Sequence, residues 1–146
     1  MAASLSPQHS VSVAAVVVDN QGRVLVTRRA DNDHWEPPGG VLELDETIEQ
    51  GVVREVLEET GLVVEPDALT GVYKNLPRGI VALVFRCRLV DGAPQKSAEV
   101  RECRWLRPDQ LGDYMDEAYA VRMLDGLADG PVRVRSHDGV RLSTPS

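Results

Sequence analysis

Residues 39–62 read GGVLELDETIEQGVVREVLEETGL, and no other stretch constrains the chain as much. From 46 to 60 apolar side chains recur at helical spacing, Ile48, Val52 and Val56 in one row with Val53 and Leu57 beside it, which predicts an amphipathic helix with one buried stripe. Asp45 or Thr47 can cap its start, Thr47 forming a capping box with Gln50, and Gly61 supplies a left-handed stop. The difficulty is charge. Between Glu43 and Glu59 stand seven acids, Glu43, Asp45, Glu46, Glu49, Glu55, Glu58 and Glu59, against the single base Arg54. Like charges three or four residues apart cost a helix about 0.2–0.5 kcal/mol per pair. Something outside the helix must offset them.

Glu55, Glu58 and Glu59 stand at i, i+3 and i+4, so they project from one helical face within about one turn. A solvated face normally sets acids four residues from lysines, and this helix has no lysine. Hard cations, which take oxygen ligands, account for such a patch, with Mg2+ the first expectation and Mn2+ the second. Gly39 and Gly40 permit approaches that a β-carbon blocks, so a carbonyl from that turn can reach the same ion. Gly51 costs roughly 1 kcal/mol relative to Ala. It is either a close-packing point or a tolerated glycine.

The rest of the chain reads as one domain over residues 1–146, with 1–10 as a flexible N-terminus and 131–146 as a C-terminal hairpin, turned at Asp138 and Gly139, or a tail. Residues 11–18 and RVLVTRR predict two strands joined by a tight turn at DNQG. ADNDHWEPPGG is a loop that Trp35 can pin down. LTGVYKN, GIVALVFRCRLV and VRECRWL predict three further strands, the middle one central. A short helical turn and a longer helix follow, with Ala118, Val121 and Leu124 at spacing three. Strands, helix, strands, helix is the order of an α+β domain, a mixed sheet sandwiched between helices rather than a run of βαβ units.

Composition removes several classes of function. A net charge of −7 argues against a protein that coats a nucleic-acid duplex. The apolar run VSVAAVVV is too short to span a bilayer, and the N-terminus lacks a basic leader segment. Cys87 and Cys103 lie in strand segments without CxxC spacing, which predicts two reduced, buried or half-buried thiols and suits the cytoplasm. His9, His34 and His137 have no i, i+4 partners and are not expected to hold a metal.

Gly40, Glu46, Arg54, Glu55, Val56, Glu58, Glu59, Gly61 and Leu62 together match the Nudix box: Gly, five residues, Glu, seven residues, Arg-Glu-apolar-x-Glu-Glu-x-Gly-apolar. With each fixed letter at roughly 7% usage, a chance match is on the order of 10^-8 per starting position. The chain thus resembles the Nudix hydrolases, and the order of its elements resembles their fold over most of its length. It departs from the usual form at Pro37-Pro38 and at Asp45. The resemblance implies hydrolysis of a nucleoside diphosphate linked to another moiety. It implies that Glu55, Glu58 and Glu59 hold divalent cations with a Gly39 or Gly40 carbonyl, and that Arg54 and Glu46 form an ion pair orienting those carboxylates. By the same resemblance Glu99, six residues before Trp105, is the leading general base or further metal ligand, with Glu102 and a box glutamate as competitors.

Substrate contacts are less constrained. Alternation sends Arg28 and Arg29 to opposite faces, so at most one meets a phosphate. Tyr73, Asn75 and Arg78 lie near a strand end where a base or ribose could be read, and Trp35 either stacks on a base or anchors its loop. Pro77, fifteen residues beyond Leu62, resembles members that cleave ADP-ribose, whereas the small size resembles MutT-type members acting on nucleoside triphosphates. A non-catalytic nucleotide-binding module is the alternative, and a homodimer is frequent in the family.

Overall fold

The computed structural model describes residues 6–144; the first half of the expected flexible N-terminus and the last two residues of the tail lie outside them. The strands are β1 (Ser10–Val18), β2 (Val24–Arg29), β3 (Trp35–Glu36), β4 (Gly39–Val41), β5 (Val63–Asn75), β6 (Ile80–Asp91), β7 (Val100–Leu106) and β8 (Arg133–His137). The helices are α1 (Ile48–Thr60), the single turn α2 (Leu111–Tyr114) and α3 (Glu117–Leu127). One mixed sheet runs in the order β3-β2-β1-β6-β5-β8, with β4 also on β1 and β7 also on β2. The apolar β6 is central, parallel to β1 and antiparallel to β5.

The two-residue period of β1 distributes the core. Val13, Ala15 and Val17 pack with Val52 and Val56 of α1 on one face. Ala14 and Val16 pack with Ala120 and Met123 of α3 on the other. Each fully buried valine contributes about 1.5–3 kcal/mol, so a strand apolar on both sides holds both helices to the sheet. This is the expected α+β sandwich.

Local expectations fared unevenly. Thr47 caps α1 and makes the capping box with Gln50, and Gly61 ends the helix at φ 75° with its N–H on the Leu57 carbonyl. A Cβ at Gly51 would lie 2.6 Å from Leu42 Cδ1, so that glycine is a close-packing point. The first two strands share the expected turn at Asp19–Gly22, yet they pair only at Val18 and Val24; β1 pairs with β4 at Ser12–Ala14 and with β6 along its whole length. The pre-box loop contains β3 and β4. At the C-terminus the turn after His137 forms, but β8 joins β5 in parallel, and its return partner is the single bridge from His137 to Leu142.

The helix faces differ most from expectation. On α1, Leu57 is half-exposed and Ile48 lies at the surface, while Glu55 and Glu59 are buried beside Val52 and Val56. On α3, Ala118 is buried as expected, but Leu124 is exposed and Arg122 and Asp125 are buried instead. Spacing of apolar letters locates a helix; it does not see a charged group whose partner comes from another element.

Candidate metal centre and substrate cleft

Glu55 and Glu59, four residues apart on α1, face inward toward β4, and Glu99 reaches them from the turn just before β7. One carboxylate oxygen of each lies within 4.8 Å of the others. Glu55 is 8% exposed and Glu59 7%, whereas Glu99 is exposed. Burial pushes the Glu59 carboxyl up to about 8; the Gly39 N–H, donating to Oε1 at 2.7 Å, opposes this, and Glu55, Glu36 and Glu99 reinforce it. Burial also raises Glu55, opposed by Arg54 and reinforced by Glu58 and Glu99.

Arg54 organises the other side of this group. Its Nε and Nη2 donate to Glu46 Oε2 and Oε1 at 2.8 and 2.7 Å, a bidentate pair, while Nη1 donates to Glu55 Oε1 at 2.7 Å and Glu58 Oε2 at 3.2 Å. That hydrogen bonding holds the Glu46 carboxyl down at about 2. Glu58 stands apart from the three converging acids, its side chain at the exposed edge beside Arg54. Glu102 is taken by Arg104, its strand neighbour, which leaves Glu99, in the turn before β7, as the candidate acid that faces the box.

The donor set fits a hard divalent cation. Three carboxylates supply oxygen alone, two of them are buried, Glu59 has no cation against it among the described residues, and the ladder of β1 and β4 brings the Gly39–Gly40 backbone against them. A Cβ at Gly40 would lie 2.5 Å from Glu55 Oε2, so only glycine lets strand and carboxylate meet.

Two adjoining cavities open beside this centre. A smaller one of about 150 Å3 is lined by Ser12, Gly39, Gly40, Asn75, Arg78 and Arg122. A larger groove of about 610 Å3 is lined by Trp35, Tyr114, Asp116 and Asp138. Arg29, Glu36, Asn75, Arg78 and Tyr119 line both.

Of the arginine pair, Arg29 faces the cleft, its charge shared with Asp31 and Glu36. Arg28 lies outside both cavities, against Asp33 and the Trp35 ring. Trp35 anchors its loop, packing on the core and meeting Tyr114 edge-on at 5.4 Å, and it also lines the groove. Arg78 lies on the rim. Tyr73, expected at the substrate, is instead 0% exposed, with its hydroxyl donating to Asp125 at 2.7 Å; it points into the core because its strand register opposes α3. Arg122 and Tyr119 escaped sequence reading. Their spacing of three on α3 was visible, but nothing in the chain around them marked the cavity that Asn75 and Arg78 complete.

A model of the NUDIX domain matches residues 8–126. The chain is 59% identical over 140 residues to a MutT-like protein of Streptomyces ambofaciens, covering 96% of this chain and 91% of the relative. Over 102 residues it is 31% identical to an ADP-ribose pyrophosphatase of Methanocaldococcus jannaschii, covering 65% of this chain and 60% of the relative. A solved NUDIX hydrolase from Nitrosomonas europaea superimposes with a TM-score of 0.75 at 24% identity, covering 90% of this chain and 82% of that one. The chain therefore belongs to the Nudix family, as a Nudix hydrolase. Cys87 and Cys103 are free, one buried and one half-buried, and no described helix is long and apolar enough to cross a membrane.

Proposed function

We propose that the protein is a pyrophosphohydrolase dependent on Mg2+ or Mn2+ that cleaves a nucleoside diphosphate linked to another moiety by attack of water on phosphorus. The observation that carries this reading is the convergence of Glu55, Glu59 and Glu99 within 4.8 Å, two of them buried and Glu59 without a base against it. On this reading Glu55, Glu58, Glu59 and Glu99, with a Gly39 or Gly40 carbonyl, hold the cations. The ions supply charge neutralisation for the diphosphate and a water made acidic enough to attack near neutral pH. Arg54 and Glu46 are positioning residues: the bidentate pair fixes the guanidinium that turns Glu55 toward the centre. Glu99 accepts the proton of the attacking water, with a box glutamate as the competing base. Arg29 and Arg78 meet the phosphates, and the groove bounded by Trp35 and Tyr114 receives the organic part of the substrate.

Two substrate classes fit the wider reading. An ADP-ribose-like molecule is favoured by Pro77 and by the activity named for the archaeal relative; a nucleoside triphosphate is favoured by the MutT-like relative. We place the chain in the cytoplasm, as a monomer or homodimer. A non-catalytic binding module is the weaker alternative, since the box is intact. The deciding experiment follows hydrolysis of a panel of nucleoside diphosphate derivatives with and without Mg2+ or Mn2+, identifying products to locate the cleaved bond. Metal-dependent turnover abolished by Glu58→Gln and reduced by Glu99→Gln supports the reading; binding without turnover on every member would overturn it in favour of the module.

A further inference from the structure

Arg122 on α3 is a cation folded inward without a counter-ion. It is 7% exposed, and none of the carboxylates among the described residues lies within 4 Å of its guanidinium. Its Nε is buried without a hydrogen-bond partner. The guanidinium carbon stands 5.1 Å from the Tyr73 ring centre and 4.7 Å from that of Tyr119, and Nη2 lies 2.9 Å from His137 Nε2. That imidazole is a poor neutraliser. It is fully buried, and its Nδ1 accepts the Gly139 N–H at 2.9 Å. A neutral ring carries one proton and accepts at one nitrogen, so it cannot accept fully from both Gly139 and Arg122. Burial and then Arg122 itself hold His137 below its ordinary value, which keeps a second charge off the ring. Two aromatic faces recover only part of the hydration an arginine loses on burial.

What Arg122 does face is the cavity of about 150 Å3 next to the Gly39–Gly40 strand. The other cations there differ in how much charge they have to give. Arg29 is engaged by Asp31 and by Glu36, the one acid of that lining. Arg78 is exposed on the rim and makes no ion pair among the described residues. Asn75 spends Oδ1 on the Arg78 N–H and keeps its amide donors. The cavity therefore offers two guanidinium groups with no acid against them among the described residues, and an amide, all donors, beside the Gly39–Gly40 strand on which the carboxylates rest.

We propose that Arg122, with Arg78 and Asn75, forms an anion subsite that takes phosphoryl oxygens on the part of the substrate beyond the diphosphate held at the carboxylates. Guanidinium groups match phosphate geometry and carry the charge a buried anion needs. The preferred substrate class then bears a further phosphoryl group, as a nucleoside triphosphate does, and a diphosphate ending in a neutral sugar leaves Arg122 unpaired. The assignment of the anion to substrate rests on the pyrophosphohydrolase reading; binding of an anion in the cavity does not.

The first arm of the test uses inorganic phosphate and the full chain in chelator, so that no turnover or metal binding contributes. Phosphate is expected to raise the thermal midpoint of the wild type and to move amide resonances at Asn75, Arg78 and Arg122. Arg122→Gln and Arg122→Met should weaken that binding about tenfold or more, and Arg122→Lys should lie between. No phosphate-dependent shift in the wild type, or the same shift in folded Arg122→Met, overturns the proposal; should the variants not fold, the wild-type resonances decide it alone. The second arm compares KM and kcat for a nucleoside triphosphate and a nucleoside diphosphate sugar. Arg122→Gln should raise KM selectively for the triphosphate with kcat little changed. Equal effects on both would make phosphate a free ligand rather than a substrate group and overturn the substrate assignment. If phosphate binds as expected but no panel member turns over, the hydrolase reading fails while the anion site stands.

Discussion

Arg54 and Arg122 sit on the two helices that flank the sheet, and the fold treats them in opposite ways. Arg54 gathers Glu46, Glu55 and Glu58 within hydrogen-bonding distance and Glu43 at 3.7 Å, so its charge is surrounded and its geometry fixed. Arg122 is more deeply buried and has two tyrosine rings and an imidazole. The acids show the same division. Asp125 is buried but receives Tyr73, and Arg135 at two points; these outweigh burial and keep its carboxyl below the ordinary range. Glu59, equally buried, receives one backbone N–H and stays high. Asp125 is answered from within the protein and holds structure, whereas Glu59 and Arg122, answered less fully, border the proposed cation centre and the small cavity.

The comparison breaks most sharply at Glu59. Glu59→Gln is expected to lower kcat at least about 100-fold at saturating Mg2+ while leaving the chelated protein as stable as wild type or more so. A loss of stability with retained turnover would put Glu59 with the structural acids. Asp125→Asn should do the reverse: about 3 kcal/mol lost in urea unfolding, since Tyr73 and Arg135 are left facing a neutral group, with kcat per folded molecule near wild type.

A pH series sharpens the same contrast. In chelator, Glu59 keeps its proton in the folded chain up to about 8, while the unfolded chain ionises from 4.5 upward. The unfolded state therefore binds fewer protons across that window, and stability falls as pH rises through it, by an amount on the order of a few kcal/mol. Asp125 has the opposite sign, contributing stability above the unfolded value of 3.8 that is lost as pH falls through its lower folded value. Thermal midpoints of wild type and Glu59→Gln between pH 5 and 8 separate the two; parallel curves would remove Glu59 from the unanswered class. The smallest effect is expected at the clamp: Arg54→Gln should weaken Mn2+ binding about tenfold by releasing Glu55 without removing a ligand, as read by calorimetry.

Glu55 and Glu59, two of the three converging acids, were legible because they lie four residues apart on one helix and that spacing is covalent information; Glu58, read with them, stands apart beside Arg54. Glu99 was reachable only through the family resemblance, which sets an acid six residues ahead of a tryptophan. What could not be read was orientation. The letters allowed Leu57 and Leu124 as buried positions, and the structure turns both outward, with Glu55, Glu59 and Asp125 taken inside on hydrogen bonds from Arg54, from Gly39 of β4 and from Arg135 of β8. Tyr73 was misplaced for the same reason, since its hydroxyl is satisfied 52 residues away. Arg122 was invisible because what defines it is the lack of a partner, a property of the assembled fold.

Ser12, Val13 and Ala14 line the small cavity with one strand while pairing with Val41, Gly40 and Gly39 of the other, the strand against which Glu55 and Glu59 rest. The proposed cation centre and the guanidinium pocket thus share this two-stranded ladder as a common wall. Such a ladder acts as a ruler. On the proposed reading, a ligand one phosphate too short or too long misses one of the two sites, and the shared backbone contributes to discrimination by length.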